Sequence, residues 1–268
     1  MSNNSCLLQQ IEQCRTYSKM SSSPDCMLVT GPSGSGKTHF INYYVQQHNK
    51  PQGVILNTRV PLPATVQSIA EKFLRELGEP DPQFSSIRIS TDRVIELINL
   101  KVELVILDEF EGCVDPNRGR VVYEVVDWIR TIINETSLPF VLFGLNQSKN
   151  IINSNEQLKR RFSIQHELKP YSYDSAEGLN QFRELLSELD MRLPFIESSL
   201  LAEEDVSKRI YYATDGVAGP ILHLVRRAAV IAMNKDHDRI ERGDFAETFD
   251  YMHLINQSKL NPFLTEHL

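Results

Sequence analysis

The chain has 268 residues, 41% of them hydrophobic and 24% charged, and a formal net charge of −7 at pH 7. This length suits one large domain or two small ones, and the composition is that of a soluble protein able to bury a substantial core. The negative charge weighs against an extended nucleic-acid contact, although a local basic patch is enough to meet a phosphate backbone.

The sequence gives no support to the membrane and secreted classes of protein. No apolar run approaches the roughly 18–20 residues that a membrane helix needs. The N-terminal sequence has no charged region followed by an apolar core, so it does not resemble a secretory signal. The four cysteines form no C-x-x-C pair. We therefore expect a cytoplasmic protein with reduced thiols that neither bind metal nor form disulfides.

Short apolar runs alternate with amphipathic segments over the first 170 residues. The apolar runs predict strands at 27–29, 54–56, 103–107, 140–143 and 163–168. The amphipathic segments predict helices at 5–20, 37–47, 64–77, 91–101, 120–135 and 155–161. Three connections are predicted as loops, at 59–63, 78–90 and 111–120. Alternation of this kind predicts an α/β fold with a parallel five-stranded sheet flanked by helices.

The strand signal stops after Pro170. Four further helices are predicted, at 174–190, 199–213, 216–234 and 241–254. We therefore predict an α/β domain over 1–170, a smaller helical domain over 171–254 and a C-terminal tail over 255–268. Phe263 is an apolar residue in the otherwise polar tail. It either anchors the tail in a partner's pocket or packs back on the helical domain.

The segment GPSGSGKT follows a predicted strand, opens a predicted helix and fits the motif G-x-x-x-x-G-K-[ST]. The glycines allow backbone N–H groups to point at phosphates, and the helix N-terminus adds partial positive charge. We predict that Lys37 reaches the β- and γ-phosphates of ATP and that the Thr38 hydroxyl binds Mg²⁺. The candidate nucleotide-binding residues are Gly31, Pro32, Ser33, Gly34, Ser35, Gly36, Lys37, Thr38 and His39.

A second motif, which is acidic, follows the apolar run of the third predicted strand, in the sequence LVILDEF. Asp108 is placed at the carboxyl end of the strand, where open α/β sheets bind ligands, and would hold Mg²⁺ through water. Glu109 is placed to polarise a water for attack on the γ-phosphate. A carboxylate that activates water disfavours a small-molecule kinase, which has to exclude water. The alternative is a surface pair of acids.

Two further candidates lie beyond this motif. Asn146 follows the fourth predicted strand, where it either orients the attacking water or forms a turn. Arg160 and Arg161 end a short predicted helix. An arginine that reaches a neighbouring subunit's γ-phosphate stabilises transition-state charge, whereas the alternative is an exposed basic helix end. The candidate catalytic residues are Lys37, Asp108, Glu109, Asn146 and Arg161.

These elements, followed by a helical domain, resemble the AAA+ ATPases. The spacing of GPSGSGKT, LVILDEF, FVLFGLNQS and NEQLKRRF, with GVAGPILHLVRRAAVIA in the helical part, is similar to that of the TniB/TnsC family of transposition ATPases, including the type found in CRISPR-associated transposons. The resemblance covers residues 25–235. The first two motifs are shared by very many ATPases, whereas NEQL-x-RRF and the G-x-x-G pattern of the helical part are more particular.

The resemblance implies a regulator of DNA transposition with an AAA+ P-loop domain and a smaller helical lid domain. Such proteins bind ATP and Mg²⁺ and assemble into rings or helical filaments around double-stranded DNA. They receive a signal from a TniQ-like or TnsD-like target selector and recruit the transposase, and hydrolysis disassembles the filament. On this basis Asp108 and Glu109 form the Walker B pair, Asn146 lies near the sensor 1 position and Arg161 is the arginine finger.

The chain departs from the pattern of the TniB/TnsC family at two positions. Relatives often carry Thr or Asp at sensor 1, where Leu145 and Asn146 stand here. Relatives also often carry a basic sensor 2 residue just after the second glycine of the G-x-x-G pattern, and that position is Pro220 in this chain. Arg226 or Arg227, further along the same helix, would substitute for it or lie on the surface.

The resemblance also implies where DNA is held, namely by the segments 59–65 and 82–88. Arg59 and Arg88 are their only cations, and Thr65, Ser85 and Ser86 offer neutral hydrogen bonds to phosphate. The predicted DNA-binding residues are Arg59, Thr65, Ser86 and Arg88. No basic patch with interleaved aromatic residues is present, so we expect binding without base readout. So few cations bind weakly in a monomer, but repetition around a filament adds avidity.

Two alternatives to a transposition regulator stay open on the sequence. One is another AAA+ ATPase on DNA, of the helicase-loader or replication-initiator type, although an initiator would normally add a DNA-reading domain that is not evident here. The other is a signalling or secretion ATPase that does not bind DNA.

Overall fold

A computed structural model describes residues 3–20, 23–49, 53–80, 82, 86–115, 120–121, 123–252 and 260–265. The chain divides into two compact units. Unit 1 comprises Met1–Ser33 and Lys37–Leu168, and unit 2 comprises Gly34–Gly36 and Lys169–Leu268. Part of the tail and Ser85, one of the residues predicted to offer hydrogen bonds to DNA, lie outside the described residues.

Unit 1 is built on a parallel five-stranded sheet. In chain order the strands of the unit are β1 (Met27–Thr30), β2 (Val54–Arg59), β3 (Val102–Asp108), β4 (Val114–Asp115), β5 (Arg120–Val121), β6 (Phe140–Gly144) and β7 (Ile164–Glu167). The sheet order is β2-β3-β6-β1-β7, and β4 and β5 form a separate antiparallel pair. All four neighbouring pairs in the large sheet are parallel. The predicted fold class is confirmed.

Helices cover both faces of this sheet. They are α1 (Asn3–Met20), α2 (Lys37–His48), α3 (Val66–Glu76), α4 (Ile87–Lys101), α5 (Tyr123–Thr136), α6 (Ser148–Asn153) and α7 (Glu156–Arg161), with a short 3-10 helix at Phe110–Cys113. Alternate residues of β3 enter two different cores. Val105 and Leu107 pack with α3, α4 and α5, whereas Leu104 and Ile106 pack with α1 and α2. A strand buried on both faces is the reason for its unbroken apolar sequence.

Two local predictions for unit 1 were wrong, and one short helix was not predicted. Helix α4 begins at Ile87, so the end of the predicted polar connection 78–90 is helical. The cause is Ser86, whose hydroxyl accepts a hydrogen bond from Ile89 N at 3.4 Å and caps the helix. The loop predicted at 111–120 contains part of the 3-10 helix and the β4–β5 pair, and the short helix α6 follows β6 without having been predicted. These elements are too short for hydrophobic periodicity to reveal them.

Unit 2 is helical over its described residues after 168. Its helices are α8 (Ala176–Asp190), α9 (Glu204–Thr214), α10 (Ala218–Asn234) and α11 (Arg242–Met252). Their apolar faces share one core, in which Phe182, Ile210 and Leu224 are almost wholly buried. Along the described chain, no single helix is long and apolar enough to cross a bilayer; α9 and α10 reach that threshold only as a pair, bent by 118°.

The described part of the tail packs on unit 2. Phe263 is 3% exposed, and its ring stacks on that of Phe245 with the ring centroids 5.1 Å apart. Of the two alternatives for this residue, the structure shows the one in which it packs back on its own helical domain. The Phe263 side chain is therefore not exposed for insertion into a partner's pocket in this structure.

Candidate active site

The P-loop connects β1 to α2 and contains two residues in left-handed backbone geometry. Gly34 has φ 77° and Gly36 has φ 89°. Residues with a side chain rarely adopt such angles, so glycine is required at both positions. The loop therefore has the backbone conformation that its sequence motif demands, directly before the N-terminus of α2.

Lys37 begins α2 and points back at its own loop. Its Nζ donates to the carbonyls of Gly31 and Pro32, both at 2.8 Å. Burial lowers the pKa of Lys37, and the carboxylates of Glu111 and Asp108 oppose that shift. The ammonium group is thus partly desolvated, and the two acids favour its charged form.

Thr38 and Asp108, the two predicted Mg²⁺ ligands, are in direct contact. Thr38 Oγ1 donates to Asp108 Oδ2 at 2.7 Å, although the two residues are 70 positions apart in sequence. Asp108 is the last residue of β3 and is only 3% exposed. The strand order makes this contact possible, because β6 alone separates β1 from β3. An oxygen pair of this kind is what Mg²⁺ requires from protein.

Glu109 lies beside this pair but faces outward. Its backbone adopts the left-handed conformation with φ 58°, which costs a residue with a side chain about 1–2 kcal/mol. Half of its side chain is exposed, and Oε1 lies 3.4 Å from Nη1 of Arg59. Arg59 Nε also lies 3.9 Å from Asp108 Oδ2. In the sequence analysis Arg59 is assigned to DNA alone, whereas the structure places it in contact with both acids.

A polar cavity of about 230 Å³ adjoins the Thr38–Asp108 contact and is lined in part by Thr58 and Arg59. Thr58 Oγ1 is buried without a hydrogen-bond partner. So is Thr30 Oγ1, one residue before the P-loop. Buried hydroxyls without partners are costly and suit a site that receives a polar ligand. Together with the loop geometry, these groups fit a Mg²⁺-nucleotide.

Asn146 does not point into a buried site. Its side chain is exposed, and its carbonyl accepts from Lys149 N at 3.2 Å in the turn that leads into α6. Leu145, the residue before Asn146, is contacted by Glu111, a residue that is not singled out in the sequence analysis. Glu111 Oε2 accepts from Leu145 N at 3.0 Å. The available signal was a third carboxylate, two residues after Glu109 in DEFE.

Gly144 makes the approach of Glu111 to the end of β6 possible. A Cβ on Gly144 would lie 2.8 Å from Glu111 Oε2 and 2.2 Å from Ser148 Oγ. Glu111 therefore ties the 3-10 helix to Leu145, the residue after β6, and its carboxylate also acts to raise the pKa of Lys37. It belongs to the candidate site.

Arg161 is engaged within its own subunit. It donates from Nη1 to Ser23 Oγ at 2.8 Å and from Nη2 to Asn134 Oδ1 at 2.9 Å. Arg160, its neighbour, is exposed, and its side chain makes no hydrogen bond or ion pair within the part of the chain that the structure describes. His39 is exposed on the first turn of α2. The structure thus does not bring Arg161 or His39 to the Thr38–Asp108 contact.

The predicted DNA-binding hydroxyls cap helices. Thr65 Oγ1 accepts from Ser68 N at 3.1 Å and donates to Ser68 Oγ at 3.0 Å, and Ser68 Oγ accepts in return from Thr65 N, which forms a capping box. Ser86 caps α4. Arg88, in the first turn of α4, is exposed and has no polar partner among the described residues. Of the two predicted cations, Arg88 is therefore the one that is not already held by acids.

The sensor 2 alternatives lie in unit 2. Pro220 is in the first turn of α10 and offers no charge. Arg226 is exposed, whereas the guanidinium of Arg227 lies over the ring of Tyr251 at 3.4 Å from its centroid. A cation–π contact of this kind stabilises the arginine within its own unit.

A model of the family described as Bacterial TniB protein matches residues 3–173, which is more than half of the chain. The chain belongs to the TniB family. A search of curated proteins gives no match. The family assignment agrees with the resemblance of the sequence motifs.

Solved structures resemble the TniB-family chain in fold. Cdc6p from Pyrobaculum aerophilum is similar with a TM-score of 0.70 and 16% identity, over 92% of this chain and 66% of that one. Orc1 from Aeropyrum pernix, solved in complex with DNA, has a TM-score of 0.68 and 15% identity, over 92% and 64%. The RuvB Holliday junction branch migration motor from Thermotoga maritima has a TM-score of 0.59 and 17% identity, over 99% and 72%.

These similarities establish the AAA+ P-loop fold. At such low identity they establish nothing further. The chain spans slightly less than two thirds of the length of the Cdc6p and Orc1 chains.

The capping role of Thr65 predicts the effect of its removal. Thr65→Ala should lower the free energy of unfolding by about 1 kcal/mol, because Ser68 N loses its partner. Thr65→Ser, the matched control, should retain most of the stability. Urea unfolding followed by the fluorescence of Trp128 measures this, since the single tryptophan packs edge-on against Phe73 of α3. Equal stability of the Ala variant and the wild type would contradict the capping role.

Proposed function

We propose that this TniB-family chain is a Mg²⁺-dependent ATPase that binds double-stranded DNA and regulates transposition. It assembles into a ring or helical filament on DNA, without sequence preference, and links a TniQ-like or TnsD-like target selector to the transposase. We place it in the cytoplasm. The observation that carries the proposal is the contact of Thr38 with Asp108 beside a complete P-loop in a member of this family.

The P-loop lysine is the residue that changes partners on nucleotide binding. Lys37 exchanges the carbonyls of Gly31 and Pro32 for oxygens of the β- and γ-phosphates, and the N–H groups of the loop turn to the same phosphates. Thr38 and Asp108 would hold Mg²⁺, the former directly and the latter through water. When bound, Mg²⁺ neutralises the charge that develops on the phosphoryl oxygens.

Glu109 has the role of orienting and polarising the attacking water. Its carboxylate pairs with Arg59, so hydrolysis requires this side chain to turn toward the nucleotide. Asn146 would help to position the same water. Arg161 would leave Ser23 and Asn134 and reach the γ-phosphate of a neighbouring subunit, where it stabilises transition-state charge.

DNA contact is proposed for the segments that hold Arg59, Thr65, Ser86 and Arg88. Arg88 supports this best, since it is exposed and unpaired in the described part of the chain. Ser86 Oγ accepts from Ile89 N, which leaves its hydroxyl proton for a phosphate oxygen. A chain of net charge −7 with so few cations per copy binds DNA through repetition of the contact in an assembly.

Electron microscopy of the purified chain tests the proposal as a whole. The samples contain a slowly hydrolysed ATP analogue, with or without a random-sequence duplex of about 60 bp, or six helical turns. Rings or filaments that need both the analogue and the duplex are expected. Particles that stay monomeric in every sample would exclude the DNA assembly and leave an ATPase whose partner is a protein. A transposase pull-down separates the transposition role from that of a helicase loader.

Removal of the P-loop ammonium group should abolish nucleotide binding. Lys37→Ala is expected to weaken ATP binding about 100-fold or more, because a desolvated charge–phosphate contact is lost. DNA binding should be lost with it, since the assembly needs the nucleotide. Isothermal titration with the ATP analogue and fluorescence anisotropy with labelled duplex measure the two. Unchanged ATP affinity would show that Lys37 does not contact phosphate.

Replacement of the proposed water-activating carboxylate should separate binding from hydrolysis. Glu109→Gln is expected to lower kcat about 10²–10⁴-fold, as loss of a general base does, while ATP affinity is retained. The variant should remain on DNA as a stable ATP-bound assembly. Phosphate release and sedimentation with DNA provide the two readings. Hydrolysis at the wild-type rate would sink the assignment of Glu109.

Charge reversal at the exposed arginine should act on DNA alone. Arg88→Glu is expected to weaken DNA binding and to reduce the slope of log affinity against log salt by about 1 for each subunit bound. Arg75→Glu is the matched control, because Arg75 is also exposed but lies in the last turn of α3, outside the proposed segments. ATP affinity should stay unchanged in both. An equal loss in the two variants would point to net charge and not to a contact.

A further inference from the structure

The C-terminal segment occupies a groove on unit 2. The contacts that hold it there are noncovalent, so they do not require the segment to be joined to the same chain as the groove. The groove is formed by α9 and α11, and the segment is Asn261–Thr265. Phe263 enters the apolar part of the groove and stacks on Phe245. Pro262 is buried beside it, whereas Leu264 is 66% exposed. The segment is thus held in the manner of a short peptide ligand with one aromatic anchor.

Two arginines of the groove recognise the backbone of this segment. Arg209, only 2% exposed, donates from Nη1 to the carbonyls of Pro262 and Thr265, and its Nε is held by Asp205 at 2.8 and 2.9 Å. Arg242 donates to the carbonyls of Phe263, at 2.6 Å from Nε, and Thr265. Loss of the segment would remove these carbonyl partners from both guanidinium groups, which water or a replacement segment would then have to satisfy.

The side chain of Asn261 adds sequence selectivity. Its Nδ2 donates to the Ala246 carbonyl at 2.9 Å and to Asp250 Oδ1 at 2.8 Å, both on α11. Its Oδ1 accepts from Phe263 N at 3.0 Å, which shapes the turn. The contacts of the groove are therefore matched to an Asn-Pro-Phe turn whose backbone carbonyls reach the two arginines, and a separate segment of the same sequence can make the same contacts.

We propose that the groove is a peptide-binding site whose ligand in an assembly is the Asn261–Thr265 segment of a second copy. A second copy has the same segment and the same groove, so two copies can exchange their segments without forming any new type of contact. Such an exchange has a low free-energy cost. Eight residues, 253–260, join the segment to α11, and this length of chain reaches up to about 29 Å. Neither nucleotide nor DNA takes part, so the proposal does not depend on the ATPase or DNA function.

A single copy favours its own segment. A short connection gives the tethered segment an effective concentration in the millimolar range, so free copies stay closed at micromolar concentration. Exchange becomes competitive where copies are held together. Two complementary variants remove the competition. Phe263→Ala keeps the groove and spoils the segment, whereas Arg242→Glu keeps the segment and spoils the groove.

The first measurement is binding of a fluorescent peptide of residues 260–268 to the full-length chain. The Phe263→Ala chain should bind this peptide about tenfold or more tightly than the wild type, whose own segment competes. The Arg242→Glu chain should bind it weakly, and Arg209→Gln provides a second groove variant. Circular dichroism confirms that each variant is folded. Absence of binding to a folded Phe263→Ala chain overturns the peptide site.

The second measurement is sedimentation velocity without nucleotide or DNA, at concentrations well above the dissociation constant of the peptide. Each variant alone should be a monomer, and a mixture of Phe263→Ala with Arg242→Glu should form a 1:1 dimer that free peptide dissociates. In the control mixture, Leu264→Ala replaces Phe263→Ala and should stay monomeric, because its segment still fills its own groove. A monomeric test mixture, or a dimer in the control mixture, overturns docking by a second copy.

Discussion

The candidate active site depends on one hydrogen bond, from Thr38 Oγ1 to Asp108 Oδ2. The bond joins the first turn of α2 to the last residue of β3. It exists because β1, which precedes α2 in the chain, and β3 end at the same edge of a parallel sheet. The register of β3 with β6 and of β6 with β1 sets its length. Packing of the sheet core thus fixes the relative position of Thr38 and Asp108, although neither residue is part of the apolar core.

The central strands of the sheet, β1, β3 and β6, could be predicted because they are buried on both faces. Leu104–Leu107 is apolar without interruption, and such a run is typical of a central parallel strand. The P-loop could be predicted because its glycines and lysine are consecutive in sequence. Local chemistry of this kind is legible without knowledge of tertiary contacts.

The rest of the site could not be predicted because its partners are distant in sequence. Glu111 meets Leu145 N, 34 residues away, through a space that only Gly144 leaves open. Arg59 is drawn to Asp108 and Glu109 by the parallel pairing of β2 with β3, which places Arg59 opposite Asp108 in register. Such contacts follow from strand order and register, which the sequence pattern does not specify. The roles of these residues in catalysis and DNA binding stay predictions.

The register of β2 with β3 has an evolutionary consequence at Arg59. Asp108 is positioned by β3, whose residues pack in two cores. Substitutions along this strand are therefore constrained by the stability of the fold. Surface loops at the same edge are freer to diverge and to acquire new partners. The segment after β2 is only partly of this freer class, because Val60 and Ala64 are buried in the core of unit 1. Arg59, the last residue of β2, is constrained as well, since it contacts both acids, and a substitution there alters the charge around Asp108 and Glu109.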